Sequence, residues 1–213
     1  MSPIIPRCAL MLCLLLGVTA CSLSTGSEGP DDCEHWSIGV VAPKHMEAWA
    51  EAVYVKDVQD RWVRMAAGVV GELGETEGWD SGRWLADRDS NPQADAPKEI
   101  YIRWQSLVEP QAYYWHFEVP ETMRQQLVKR EPAVWQGRAE RVCRSNIAVG
   151  VAPGGRTVVW LAGGGLPRVE IQRGQAIVVP EGPDLGRFGG RYVRMDDKTK
   201  QYLETHRIPY GSW

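Results

Sequence analysis

The chain reads as a mainly β (α+β) protein, a single antiparallel β-sandwich-like domain carrying two short helices. Three observations predict this. Apolar and polar residues alternate with period two in several short runs. Residues suited to turns separate those runs at short spacing. A regular strand–helix–strand alternation, which would indicate a parallel sheet, does not occur.

Trp36 to Val41 and Trp49 to Val55 are rich in β-branched and aromatic residues, flank Ala42-Pro43-Lys44-His45, and read as strands. Residues 62–73 satisfy two patterns. Trp62, Met65, Ala66, Val69, Val70 and Leu73 fit helical spacing, yet Gly68 and Gly71 would each cost a helix about 1 kcal/mol, so strand is the reading taken. Glu75 to Pro97 reads as a long loop holding Trp79 and Trp84. Glu99 to Trp104 and Tyr113 to Val119 alternate with period two across a turn containing Glu109-Pro110-Gln111. Pro120 then opens a helix, with Glu121 at its positive end and Lys129 and Arg130 at its negative end. Asn146 to Val151 and Thr157 to Leu161 form a hairpin around Pro153-Gly154-Gly155-Arg156. Arg168 to Ile171 and Gln175 to Val179 read as a second hairpin around Arg173-Gly174. Gly182 to Arg191 is a Gly-rich loop, and Asp196 caps a short helix reaching His206.

The first residues have the anatomy of an export signal: Arg7, an apolar run from Cys8 to Leu16, then small residues. That run is shorter than the ~20 residues of a permanent membrane span. It ends in Val18-Thr19-Ala20-Cys21, which resembles a bacterial lipobox, where the Cys thiol is acylated and becomes the first mature residue. The domain plan is therefore a signal peptide over 1–20, a flexible tether over 21–32, and one globular β-rich domain over 33–213. The tether, from Ser22 to Asp32, is polar and rich in Gly and Ser, with a reach on the order of 18 Å as a flexible coil. Two or three acyl chains, at about 0.8 kcal/mol per buried methylene, hold such a protein to a bilayer essentially permanently. Ser22, rather than Asp, after the acylated residue points to the periplasmic face of the outer membrane.

Lys and Arg total 24 against 27 Asp and Glu, for a net charge of −3 with the signs mixed along the chain. That balance argues against a nucleic-acid partner. Of the 5 Cys, Cys8 and Cys13 leave with the signal and Cys21 is acylated, so Cys33 and Cys143 remain. In an oxidising compartment two such thiols form a disulfide more often than not, closing a loop worth up to ~4–5 kcal/mol; two separate buried thiols are the alternative.

Catalytic patterns fail one by one. His116-Phe117-Glu118 has zinc-deaminase spacing but lacks the Pro-Cys-x-x-Cys that would complete the ligands. Asp87-Arg88-Asp89-Ser90-Asn91 opens like a calcium loop, then places Pro92 where Gly is needed and Lys98 where the bidentate Glu belongs. The Gly-rich stretches at Gly154 and Gly163 lack the Lys-Ser/Thr of a phosphate cradle, and there is no Gly-x-Ser-x-Gly elbow. The expectation is a non-enzyme with no cofactor and no metal. What is unusual is 10 Trp against 2 Phe. Trp36, Trp104, Trp115 and Trp160 fall in strands and suit the core, whereas Trp79, Trp84, Trp135 and Trp213 fall in loops or at the terminus. There they either pin loops down or serve as binding hot spots.

Four stretches together carry a resemblance. They are Trp36 with Ala42-Pro43-Lys44; Ile100 to Gln111, containing Arg103-Trp104-Gln105-Ser106-Leu107; Ala148 to Gly155 leading to Val159-Trp160-Leu161; and His206-Arg207-Ile208-Pro209-Tyr210-Gly211-Ser212-Trp213. The chain is similar to the proteobacterial lipoproteins of unknown function of the DUF2931 type, whose members often resemble immunity lipoproteins paired with lipase or phospholipase effectors of type VI secretion. The resemblance implies a cognate effector protein as partner and carries over no catalytic residue. It implies a protein that neutralises that effector by binding; an envelope scaffold or assembly factor without an effector is the alternative. Under the first reading, Trp79 and Trp84 with the acidic Asp87 and Asp89 around them are the candidate partner-binding residues.

Overall fold

The computed structural model describes Cys33 and residues 35–65, 68–70, 79, 81–87, 95–135 and 137–213. The N-terminal half of the domain forms β1 (Ser37–Ala42), β2 (Ala48–Asp57), β3 (Trp62–Met65), β4 (Gly68–Val70), β5 (Ser81–Asp87), β6 (Pro97–Ser106) and β7 (Ala112–Glu118). Helix α1 (Glu121–Leu127) follows, then β8 (Glu131–Trp135), β9 (Arg138–Val142), β10 (Asn146–Ala152), β11 (Arg156–Gly163), β12 (Leu166–Gln175), β13 (Ile177–Val178) and α2 (Asp197–Leu203). One sheet has the order β12-β11-β10-β1-β5. The second runs β13-β7-β6-β2-β3, with β4 also paired to β2, and β8-β9 is a separate hairpin. The domain is a β-sandwich-like α+β fold.

The period-two runs explain the core. Ile38 and Val40 from β1, Ile147, Val149 and Val151 from β10, and Val159 and Leu161 from β11 point from the first sheet into one buried cluster. Val53 and Val55 of β2, Ile100, Ile102 and Trp104 of β6, and Trp115 and Phe117 of β7 meet them from the second. Met123 and Leu127 of α1 close one side. Each such side chain contributes about 1.5–3 kcal/mol by leaving water. The alternate residues of β7, His116 and Glu118, are exposed, as the alternation requires.

The first sheet is buried on its other face as well. There Val158 and Trp160 of β11 join Val41, Met46, Trp79, Val108 and Trp213, with Tyr202, Leu203 and Ile208 packed against them. Helix α2 and the chain end thus make a third layer. Small residues on β10 leave room for it: Ala148 and Ala152 flank Gly150, where an added Cβ would stand 2.8 Å from Trp160 and Val158 and 2.9 Å from Trp79.

Several expectations needed correction. Residues 75–97 are not one loop, because Ser81–Asp87 is an edge strand antiparallel to β1. Trp84 and Trp135 therefore lie in strands, in β5 and β8. Arg173-Gly174 is not a turn: β12 runs through it, and only then does the chain cross to the second sheet, where Ile177 and Val178 pair with β7. Gly174 serves space rather than a bend, since a Cβ there would lie 2.6 Å from the Trp115 ring. Helix α1 stops at Leu127, so Lys129 and Arg130 lie beyond it, and Arg124 is the basic residue of its last turn. Pro120 is its cap. Among the described residues the sheets are antiparallel except at one place, where β1 pairs in parallel with β10, Ser37 against Asn146 through Val41 against Gly150. The ambiguous segment holds strands β3 and β4, and Asp196 caps α2 by accepting from the Lys198 amide.

Because the atoms around Gly150 belong to packed rings and a neighbouring strand, Gly150→Val has no cheap relaxation. It is expected to destabilise the fold by about 2–3 kcal/mol, read as a lower urea midpoint at unchanged slope.

Candidate functional site

The described residues among those singled out from the sequence do not gather at one place. Cys33 and Cys143 are joined by a disulfide, with Cα atoms 5.7 Å apart and a sequence separation of 110. It ties the first described residue to the strand pair leading into β10. Trp79 is not available as a hot spot. It is only 8% exposed, its ring meets Trp160 edge-on at 5.4 Å, and its carbonyl accepts from Arg168. Trp84 and Asp87 belong to β5, Asp87 in register with Ser37. Asp89 and Cys21 lie outside the described residues. Trp213 is buried in the third layer, so it pins the chain end.

The structure instead gathers three segments around one carboxylate at the end of the sandwich where β1 and β10 finish. Glu109, in the turn from β6 to β7, accepts from the Tyr113 hydroxyl at 2.8 Å, the Gly154 amide at 2.7 Å and the Tyr210 hydroxyl at 2.6 Å. Gly154 can offer its amide because it takes φ 73 in the tight 3₁₀ turn between β10 and β11, a conformation that suits glycine. One carboxylate therefore joins the β6–β7 turn, the β10–β11 turn and the chain end.

A second carboxylate sits on the outer face of the other sheet. Glu51 of β2 accepts from Arg103 at 2.6 Å, from Gln105 at 3.3 Å and from the Asp184 amide at 2.9 Å. Gln105 in turn accepts from the Val193 amide at 2.6 Å. Buried charge is costly unless paired and hydrogen-bonded, and here both conditions are met. Glu47 repeats the device, accepting from the buried Thr199 hydroxyl of α2 at 2.8 Å. Beside these anchors lies a cleft of about 280 Å³ lined by Ser106 to Pro110, Tyr192, Val193 and Met195.

On α2, Tyr202 is sandwiched between His45 and His206, with ring centroids 3.8 Å and 4.0 Å away. Burial, with His206 and Lys44 nearby, holds the His45 imidazole below its ordinary range. His116 pairs with Glu99 at 2.8 Å on the exposed face of β7 and β6. Among the described residues no group of three or more His, Cys, Asp or Glu has the geometry to hold a metal ion. The arrangement is one of clamps, and its chemistry is hydrogen bonding between segments.

Sequence reasoning passed over Glu109, Glu51 and Glu47. For the last two a signal existed, since both interrupt the apolar stretch Met46 to Val55, and a carboxylate inside such a run needs a buried partner.

A family model described as a protein of unknown function (DUF2931) matches residues 24–211, and the chain belongs to that family. No curated protein and no solved structure matches it. Three of the stretches that carry the resemblance meet at Glu109. It lies in the first of them, Gly154 lies in the second and Tyr210 in the chain end.

The Tyr210 hydroxyl is pushed up to about 12 by burial and by its bond to Glu109, and Tyr113 is raised further for the same reasons. A phenol whose folded value exceeds its unfolded value near 10 contributes stability that is complete below about pH 10. That stability is lost as pH rises through about 12. Tyr210→Phe is expected to remove one late-ionising phenol from an ultraviolet titration and to blunt the alkaline loss of stability. At neutral pH it lowers stability by less than about 1 kcal/mol.

Proposed function

We propose that this chain is a lipoprotein on the periplasmic face of the outer membrane that binds a cognate secreted lipase or phospholipase effector and neutralises it as an immunity protein. The observation that carries the reading is Val18-Thr19-Ala20-Cys21 directly behind an apolar run too short to stay in the bilayer as a span. The polar stretch from Ser22 to Asp32 supports it by supplying a tether. The disulfide at Cys33 fixes the first described residue of the domain to Cys143, so a pull on the tether loads a covalent link rather than a fraying strand end. Membership in a family of unknown function leaves the activity open; the immunity role draws on the resemblance given above.

The physical logic is occlusion. An effector that attacks lipid from the periplasm works at the membrane surface. A binder held at that surface meets it at a raised effective concentration without needing tighter contacts. Such a protein needs a rigid recognition surface and no reacting group. Clamps such as Glu109 and Glu51, which fix turns and chain end against the sheets, are what rigidity of that kind requires.

Cells that export the effector into their own periplasm provide the test. The wild-type chain is expected to take up an alkyne-labelled fatty acid and to restore growth. Cys21→Ser is expected to lose the label and to protect at least about tenfold less well, on the scale of a lost local concentration. Full protection by an unacylated chain would sink the anchored reading. A growth defect on deleting the gene in cells with no effector would favour an envelope scaffold instead.

A further inference from the structure

The β8–β9 hairpin keeps two different faces. Glu131 pairs with Val142 and Ala133 with Glu140, whereas Pro132 pairs with Arg141 and Val134 with Ala139. Paired residues share a face, so Glu131, Ala133, Glu140 and Val142 lie on one side and Pro132, Val134, Ala139 and Arg141 on the other. The first side is turned inward. Val142 is buried, Glu131 accepts from Arg144, and Ala133 sits by the β11–β12 turn, where a Cβ added at Gly165 would stand 3.5 Å from its own. Every residue of the second side is exposed, Val134 by 68%, and exposed Arg130 just before β8 continues the same alternation. Both carboxylates of the hairpin thus face inward, and the outer face holds only aliphatic side chains and arginine.

That charge has no counterpart within the fold. Among the described residues no carboxylate pairs with Arg130, Arg138 or Arg141; the one side-chain bond they make runs from Arg141 to the Arg130 carbonyl at 2.8 Å. Glu131 is already shared by Arg144 and Lys129. The face is also small. Two strands of five residues present on the order of 200 Å², well short of the about 800 Å² that each partner gives a specific protein interface. Pro132, Val134 and Ala139 offer no directional group and no aromatic anchor of the kind such interfaces use. An aliphatic strip edged by arginines suits a fluid surface of acyl chains and phosphate instead. There a guanidinium binds phosphate oxygens while its stem covers apolar surface. The fold holds this face beside the point where the tether arrives. Strand β9 ends at Val142, and Cys143 next to it is bonded to Cys33. Arg141 therefore stands about 7 Å from that link and Ala139 about 14 Å.

We infer that the outer face of the β8–β9 hairpin docks on the bilayer that carries the protein, with Val134 and Ala139 against its apolar boundary and Arg130, Arg138 and Arg141 on the phosphates of anionic phospholipid. This rests on the anchored reading for the presence of a bilayer, while the segregation of the two faces and the arginines without carboxylates stand apart from it. Acyl chains alone leave a domain free to turn. A second contact, joined to the tether by a disulfide, presents one side of the domain to the membrane. Each arginine near an anionic surface shifts the docked fraction about fivefold.

The test places photoreactive benzoylphenylalanine at Val134 or, as a control, at Phe188, which is 76% exposed. Each full-length chain is expressed in its source cells, purified with its acyl chains and reconstituted in phosphatidylethanolamine vesicles with or without phosphatidylglycerol. Irradiation is expected to give a phospholipid adduct at position 134 at least about fivefold more often than at 188, and more often with phosphatidylglycerol present. Arg130→Gln together with Arg138→Gln is expected to cut the yield at 134 at least about fivefold at an unchanged thermal midpoint, because neither side chain holds anything in the fold. Raising the salt should lower the wild-type yield in the same direction. Equal yields at 134 and 188, or a yield at 134 indifferent to phosphatidylglycerol, salt and the two arginines, would overturn docking through this face. The mass of the N-terminal peptide reads the anchor separately, so that result leaves the anchored reading intact. A peptide without acyl chains would remove the anchor and this proposal with it. A crosslink from position 134 to a second copy of the chain would replace the bilayer by a self-contact and overturn the proposal.

Discussion

Glu109 holds three segments that the chain brings from far apart. Its carboxylate accepts from Tyr113 within its own hairpin, from Gly154 across the sandwich and from Tyr210 at the chain end. An ionised carboxylate has room for about four donors, and bonds to charged acceptors are roughly twice as strong as neutral ones. Removing such an acceptor would leave an amide and two hydroxyls without their partner and loosen one edge of the third layer. That layer is what buries Trp160 and Trp79, so the outer face of the first sheet depends on the same carboxylate indirectly. The fold is a two-sheet sandwich by its core and a three-layer structure by this clasp.

The third layer also sets limits on sequence. A sheet buried on both faces leaves no room for the usual alternation, and β10 answers with large residues inward and Ala148, Gly150 and Ala152 outward. The turn that follows must then expose the Gly154 amide to Glu109, which explains why Pro153-Gly154-Gly155 makes a tight turn rather than a phosphate cradle. Glu51 and Gln105 perform the equivalent task on the second sheet, where they seat the segment from Asp184 to Val193. Both sheets carry their clamps toward one end of the sandwich, and Cys33 lies toward the other.

Much of the fold was legible because period two is a local property. Glu99 to Trp104 and Tyr113 to Val119 declared themselves, as did the hairpin around Pro153 and the Asp196 cap. What failed was non-local. The parallel pairing of β1 with β10 joins residues more than one hundred positions apart, and no local pattern announces it. Strand β5 hid among Gly and Asp because an edge strand needs little apolar surface, and β8–β9 hid for the same reason. Gly174 was misread because glycine marks both turns and close contacts, and here it makes room for Trp115. At the candidate site, Trp79 admits two readings from sequence, a pin for its loop or a binding hot spot, and the Trp160 face opposite decides for the pin. Glu109 was one acidic residue among many until the topology placed Gly154 and Tyr210 beside it.

The clasp at Glu109 is the claim on which the joining of the two turns and the chain end rests. Native-state amide hydrogen exchange on Glu109→Ala tests it most directly. The account expects Gly154, the last turn of α2 and Tyr210 to lose protection by about tenfold or more, while Ile102 and Val53 in the inter-sheet core stay as slow as in the wild type. Unchanged exchange at Gly154 and Tyr210, or an equal loss spread across Ile102 and Val53, would contradict it.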